Sequence, residues 1–468
     1  MQIKQIYTGC LAQGAYYIES DGEVAIVDPL REVQSYIDRA AADGAKIKYI
    51  LETHFHADFV SGHLTLAEKT GATIVYGPSA NPGFDVHIAA DGEELKVGKL
   101  TIKVLHTPGH TLESTTYLLL DENGREHAIF TGDTLFIGDV GRPDLAQKAN
   151  ELTQEDLAGM LFDSLRTKIM PLHDDVIVYP AHGAGSACGK NMSSETEDTL
   201  GNQKQSNYAL RADMTKAEFI KEVTDGLLPP PVYFPANVQL NKQGYNHIDA
   251  ILKQGLTGLS ADEFESLSQK ENTVILDVRH QKDFVKGFVP NAVFIGLDGG
   301  FAPWVGAIIG DVKTKILLIA PEGREEEAIT RLARVGFDNI QGYLQNGVKG
   351  WKSAGKSLWT MDSEPAQKVE ENYGKEGETI VDVRKPGEFA GSHIKDAISI
   401  PLDYIQQNFD KVPANTHIHL HCAGGYRSVI AGSLLMKEGI TNFVNVEGGY
   451  KDLKQLNLPL TSAEAEIV

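Results

Sequence analysis

Four short groups of metal-ligating side chains lie within the first 183 residues: Thr53-His54-Phe55-His56-Ala57-Asp58, Thr107-Pro108-Gly109-His110-Thr111, Thr131-Gly132-Asp133-Thr134 and Tyr179-Pro180-Ala181-His182-Gly183. Each follows a run of apolar residues. Imidazole and carboxylate together suit zinc, iron or manganese rather than a soft, thiolate-seeking metal. Any one of the 15 histidines is by default an ordinary core or surface residue. Four such groups in this order, each at the end of an apolar run, make a metal constellation. A second chemistry sits near the other end, in His421-Cys422-Ala423-Gly424-Gly425-Tyr426-Arg427-Ser428. A cysteine opening a Gly-rich turn into a helix lies under backbone N–H groups and the positive helix end, and both favour the nucleophilic thiolate. Arg427 adds positive charge to the same loop.

Positioning these groups requires strands that end on one side of a sheet. Residues 24–27, 47–51, 74–76, 100–105, 116–120 and 176–179 read as short apolar strands. Ile37, Ala40 and Ala41, then Leu157, Met160, Leu161 and Leu165, fall at helical spacing. Sheets flanked by helices are therefore expected over residues 1–210. Residues 211–258 are transitional: 215–223 is expected to be helical, and 228–235, rich in proline, an extended strap. An internal repeat follows, in which Asp277-Val278-Arg279 through Phe284 returns as Asp382-Val383-Arg384 through Phe389 at an offset of 105. Strands alternating with helical stretches in each copy imply parallel sheets with helices on both faces. The expected units are residues 259–357 and 366–462.

The composition agrees with an enzyme of several domains. The chain has 468 residues, more than one ordinary core can hold, and 43 Lys+Arg against 64 Asp+Glu leave a net charge of −21. That charge argues against a general nucleic-acid binder. No apolar run reaches the length of a membrane span and the first 18 residues do not read as a secretory signal, so a cytoplasmic protein with no membrane partner is expected. Cys10, Cys188 and Cys422 are too few for a disulfide framework, so those that matter should be thiols.

Residues 1–210 resemble the metallo-β-lactamase superfamily, which implies an αββα sandwich. That family's usual pattern is His-x-His-x-Asp-His, serving a two-metal hydrolytic site; here Phe59 replaces the last histidine. A second metal would keep only Asp58, His182 and the shared Asp133. Within the superfamily the chain looks like the persulfide dioxygenase branch, which implies one Fe(II) per chain held by His54, His110 and Asp133, with His56, Asp58 and His182 in support. A facial set of two His and one carboxylate leaves open positions on the iron for a persulfide and O2.

Residues 366–462 resemble the rhodanese sulfurtransferases. Their loops place six residues from Cys to Arg inclusive, as Cys422 to Arg427 do, whereas related phosphatases use seven. The resemblance implies that Cys422 carries a persulfide whose outer sulfur is cradled by the amides of Ala423, Gly424, Gly425, Tyr426, Arg427 and Ser428. In the first copy Ala320 stands at the cysteine's place and Glu325-Glu326-Glu327 follow, so 259–357 resembles an inactive rhodanese module. Gly299-Gly300-Phe301-Ala302-Pro303-Trp304 reads as a packed loop.

Taken whole, the chain resembles persulfide dioxygenase–rhodanese fusion proteins of bacterial sulfide detoxification. This implies oxidation of a low-molecular-weight thiol persulfide (of glutathione, coenzyme A or a similar carrier) to sulfite, and sulfur transfer through Cys422 between persulfide, sulfite and thiosulfate, in either direction. A homo-oligomer is expected. Arg142 either pairs a carboxylate or phosphate of the carrier or is held by Asp139 or Asp144, and with Lys190 it is the candidate basic patch. Cys188 is expected to be packed and inert, a redox-sensitive thiol being the sharper alternative. The rival readings are a zinc thioester hydrolase like glyoxalase II and a sulfur sensor or scaffold.

Overall fold

A computed structural model describes residues 1–146 and 151–462. Packing divides the chain into two compact units, residues 1–248 with 332–336, and residues 249–331 with 337 onward.

The first unit holds two six-stranded sheets. In one, Gln2–Thr8, Gln13–Ser20 and Glu23–Val27 pair antiparallel, and Lys46–Leu51, Thr73–Tyr76 and His87–Ile88 extend the sheet in parallel. In the other, Glu94–Val97, Leu100–His106, Thr115–Leu120 and Glu126–Gly132 are antiparallel, Ile177–Pro180 joins in parallel, and Asp198–Thr199 closes the edge. Alternate side chains point to opposite faces of a strand. Ile18, Val27, Leu51 and Val75 of one sheet accordingly meet Val97, Ile102, Leu119 and Phe130 of the other in a shared core. Tyr17, Ile26 and Ile50 point outward onto Tyr36 and Ala40 of helix Gln34–Ala42 and Leu66 of helix His63–Thr70. The outer face of the second sheet packs on Leu161 of helix Gln154–Ser164 and on Phe219 and Val223 of helix Lys216–Thr224. This is an αββα sandwich. Sheets covered on both faces explain why the strands read as nearly continuous apolar runs. Each fully buried Leu, Ile or Val contributes about 1.5–3 kcal/mol.

Helices Gln154–Ser164 and Lys216–Thr224 begin where Thr153 and Thr215 form capping boxes with Asp156 and Glu218. The proline-rich strap is shorter than expected. Pro235 lies in the first turn of helix Phe234–Gln243, where a missing N–H costs nothing, and Val232 and Tyr233 already turn into it, so the extended stretch stops before Val232.

The second unit contains two five-stranded sheets built alike. One runs Gly258–Leu259, Ile340–Leu344, Lys315–Ile319, Thr273–Asp277, Val293–Phe294; the other runs Ser363–Glu364, Phe443–Val446, His417–His421, Glu378–Asp382, Ile398–Ser399. All neighbours in both are parallel. The offset of 105 carries Thr273–Asp277 onto Glu378–Asp382. The repeated Asp-Val-Arg is a structural clip: Arg279 pairs Asp277 at 2.6 Å and donates to the Gly287 carbonyl, and Arg384 pairs Asp382 at 2.6 Å and donates to the Ser392 carbonyl. The segment expected to be a packed loop is instead helical from Phe301 to Ile309, because Pro303 falls in the first turn and Phe301, Ala302 and Val305 are buried.

Candidate functional site

Strand Lys46–Leu51 delivers His54, His56 and Asp58, strand Leu100–His106 delivers His110, strand Glu126–Gly132 delivers Asp133 and strand Ile177–Pro180 delivers His182. All six side chains come together and are buried. One ligand atom each from His54, His110 and Asp133 lies within 4.8 Å of the others, and the same holds for His56, Asp58 and His182. The Asp133 carboxylate stands between the two sets: its Oδ2 is 3.3 Å from His110 Nε2 and 3.9 Å from His54 Nε2, and its Oδ1 is 3.6 Å from His182 Nε2.

Hydrogen bonds define the tautomers in the first set. His110 Nδ1 lies 2.9 Å from the Arg142 carbonyl, which can only accept, so Nδ1 donates. Thr53 Oγ1 donates to Asp28 Oδ2 at 2.8 Å and therefore accepts from His54 Nδ1 at 3.0 Å. Both rings then turn a bare Nε2 toward Asp133. Burial, then the neighbouring imidazoles, push His54 well below its usual pKa and keep it in the neutral, ligating form. His110 Nε2 and both Asp133 oxygens have no hydrogen-bond partner. Buried polar atoms left unpaired cost several kcal/mol in total unless something binds them, on the order of 1–3 kcal/mol each. The donor set therefore fits a divalent metal.

His182 is differently placed. Burial opposes its charge, but Asp58 and then Asp133 override it and raise the ring to about 10, while His182 holds the buried Asp58 carboxyl below its usual value. Phe59 is fully buried, its ring 4.3 Å from His56 and 6.5 Å from His182.

Several supporting residues escaped sequence reasoning. Asn241, in helix Phe234–Gln243, donates to the carbonyls of His56 and Phe59, both at 2.8 Å, and accepts from Ser61 N at 2.9 Å. It clamps the turn that carries three of the six groups. Asn241→Ala would strand three buried backbone groups; the expected loss is on the order of 3 kcal/mol in stability, read by chemical denaturation, with weakened metal retention. Tyr233 is buried, and burial, then the charges of Asp58 and Cys188, raise its phenol. An aromatic residue closing a proline run was the available signal. Gly132, at φ 53°, passes so close to Thr53 that a Cβ would lie 2.6 Å from its side chain.

The expected basic patch is not available. Arg142 is 6% exposed, donates twice to Asp144 at 2.6 and 2.7 Å, and also donates to the carbonyls of Ala187 and Leu228. Of its two readings, the structure has the one in which Asp144 holds it. Lys190 donates to the carbonyls of Glu222 and Asp225. Cys188 is buried, and burial, with Asp58 and Asp133 nearby, keeps its thiol protonated.

In the second unit Cys422 follows strand His417–His421 and precedes helix Arg427–Lys437. Its Sγ accepts from Gly425 N at 3.1 Å. Arg427 forms a bidentate pair with Glu388 at 2.6 and 2.8 Å. The Ser428 hydroxyl donates inward to Asn445, so only its backbone N–H can face the loop. In the other copy, Arg324 is spent on Glu327 and Asp298. That copy also braces the Cys422 loop. Tyr426 donates to the Gly296 carbonyl at 2.7 Å, its ring stands 5.8 Å from Phe294, and a Cβ on Gly299 would lie 2.3 Å from that ring. Gly299→Ala should displace Tyr426 and slow any reaction at Cys422 by at least about 10-fold, since misplacement near 1 Å can cost ~100-fold; Tyr426→Phe, losing one hydrogen bond, should cost less.

Residues 8–182 match the metallo-beta-lactamase superfamily, and residues 260–354 and 365–456 match the rhodanese-like domain. The chain is 31% identical over 185 residues to the cytoplasmic hydroxyacylglutathione hydrolase of Arabidopsis thaliana, covering 38% of this chain and 67% of that one. It is 28% identical over 227 residues to the mitochondrial persulfide dioxygenase of Homo sapiens, covering 47% and 80%. Among solved structures, a metallo-beta-lactamase from Staphylococcus aureus subsp. aureus COL superposes with a TM-score of 0.64 at 31% identity, covering 74% of this chain and 99% of its own.

Proposed function

The chain belongs to the metallo-β-lactamase superfamily and carries two rhodanese-like domains, and from that premise we propose that it is a persulfide dioxygenase joined to a sulfurtransferase. The first reaction is R-S-SH + O2 + H2O → R-SH + sulfite + 2 H+. In the second, the outer sulfur of a Cys422 persulfide passes to sulfite; the S–S bond breaks, thiosulfate forms, and the Cys422 thiolate leaves. Similarity to a persulfide dioxygenase and the presence of rhodanese domains support a small persulfide as substrate.

His54, His110 and Asp133 would hold one Fe(II), which when bound supplies the redox chemistry with O2 that zinc lacks. The chain's own residues orient and restrict. Thr53 and the Arg142 carbonyl fix the two imidazoles. The His182–Asp58 pair, 3.4 Å apart, stands beside Asp133, and the buried Phe59 ring fills the space against His56. In the second unit the Gly425 amide donates to Cys422 Sγ and the helix beginning at Arg427 follows the loop, so the chain holds and orients this sulfur.

The observation that carries this reading is Phe59 against His56, where a two-metal hydrolase of this superfamily has an imidazole. A second reading, zinc-dependent thioester hydrolysis, is favoured by the grouping of His56, Asp58 and His182 and by the hydroxyacylglutathione hydrolase relatives. Anaerobically prepared protein loaded with Fe(II) or Zn(II) separates them. Oxygen uptake with a thiol persulfide in the iron form alone supports the dioxygenase; thioester cleavage in the zinc form without uptake by the iron form overturns it.

A further inference from the structure

We propose that the strand leading to Cys422 carries a second divalent-cation site, formed by His417, His419 and Glu378, for a borderline ion of the zinc type. Side chains alternate along a strand, so His417 and His419 share one face of His417–His421, and Glu378 on the adjacent strand pairs directly with His417. One ligand atom from each of the three lies within 4.8 Å of the others.

His419 is 1% exposed and has a carboxylate at each ring nitrogen. Its Nδ1 is hydrogen-bonded to Glu364 Oε1. Its Nε2 lies 3.0 Å from Glu378 Oε2, yet that approach lacks hydrogen-bond geometry, and both atoms are buried without a hydrogen-bond partner. The metal cluster of the first unit has the same signature, with His110 Nε2 and Asp133 Oδ2 at 3.3 Å, buried and unpartnered.

A cation accounts for every atom of the group. Nδ1–H donates to Glu364 and presents the Nε2 lone pair, the carboxylate–histidine–metal arrangement that orients imidazole ligands. Glu378 supplies an oxygen. His417 is exposed, supplies a second imidazole and leaves an entry path, with a fourth position for water. Two imidazoles and a carboxylate without thiolate suit zinc better than a soft ion. The site lies at the start of a strand whose other end delivers Cys422, so it is separate from the sulfur loop and would tie Glu378–Asp382 to His417–His421.

The full chain, stripped with a chelator, reloaded with excess Zn(II) and desalted, should retain one zinc fewer per chain when His417→Ala or Glu378→Gln is introduced. Because His417 is exposed, its removal should leave the metal-free melting temperature at the parent value. Zinc should raise the parent's melting temperature more than the variant's. His110→Ala should remove a different equivalent, so the losses add in the double variant, and failure of the dioxygenase reading would leave this result untouched. An unchanged zinc count in both His417→Ala and Glu378→Gln overturns the site, as does NMR showing His419 in the zinc-saturated parent as an imidazolium bridging its two carboxylates.

Discussion

Replacing His110 with alanine is expected to lower iron-dependent oxygen uptake by more than about 100-fold and to leave the purified protein nearly free of iron; partners one shell further out already cost 10–100-fold in such sites. The ring meets Asp133 at 3.3 Å through Nε2 and is oriented through Nδ1 by the Arg142 carbonyl. Its loss removes one of three proposed ligands and leaves buried Asp133 without its nearest imidazole. His182→Ala discriminates between the two enzymatic readings. If one metal rests on His54, His110 and Asp133, His182→Ala should keep the metal and cost about 10-fold, as a supporting group does. Equal metal loss in His182→Ala would instead place His182 among the ligands and sink the one-metal assignment. Metal content by mass spectrometry and uptake at an oxygen electrode read both variants.

Cys422→Ser should abolish thiosulfate formation, a loss of at least about 1000-fold by comparison with removal of other catalytic nucleophiles, while oxygen uptake persists. Serine cannot form the S–S bond that carries the outer sulfur, and its hydroxyl is a far weaker nucleophile than a thiol. The Gly425 amide would remain in place but with no sulfur to receive its hydrogen bond. Persulfide on Cys422 is checked directly by mass spectrometry of the intact chain, where the parent should gain one sulfur atom and Cys422→Ser none. Thiosulfate produced by the variant at the parent rate would remove Cys422 from the transfer step. Arg427→Ala should weaken transfer less, because its guanidinium is paired to Glu388 rather than left free at the sulfur.

Much of the architecture was readable from local pattern. The offset that maps Asp277-Val278-Arg279 onto Asp382-Val383-Arg384 identified two copies of one unit, and both sheets have the same strand order. The apolar runs at residues 47–51 and 100–105 lie in strands, and that at 176–179 overlaps strand Ile177–Pro180, since sheets covered on both faces leave few polar interruptions. Proline was read less well. Pro235 and Pro303 look like breaks in a sequence, yet each sits in the first turn of a helix, where its missing N–H has no intrahelical partner to lose.

The sequence by itself determined the chemistry on offer: which side chains can bind a metal, which cysteine opens a Gly-rich turn, and that Ala320 leaves the first repeat without a nucleophile. Those are properties of residue type and short spacing. Tertiary structure alone decided which groups are free to act. It consumed Arg142 on Asp144 and Lys190 on two carbonyls, turned the Ser428 hydroxyl inward, and brought Asn241 from far along the chain to clamp the histidine turn. It also seated Tyr426 against Gly299 of the copy that has Ala320. The physical reason is that a polar group's partner is set by what the fold buries beside it, and such neighbours can be more than a hundred residues away in sequence.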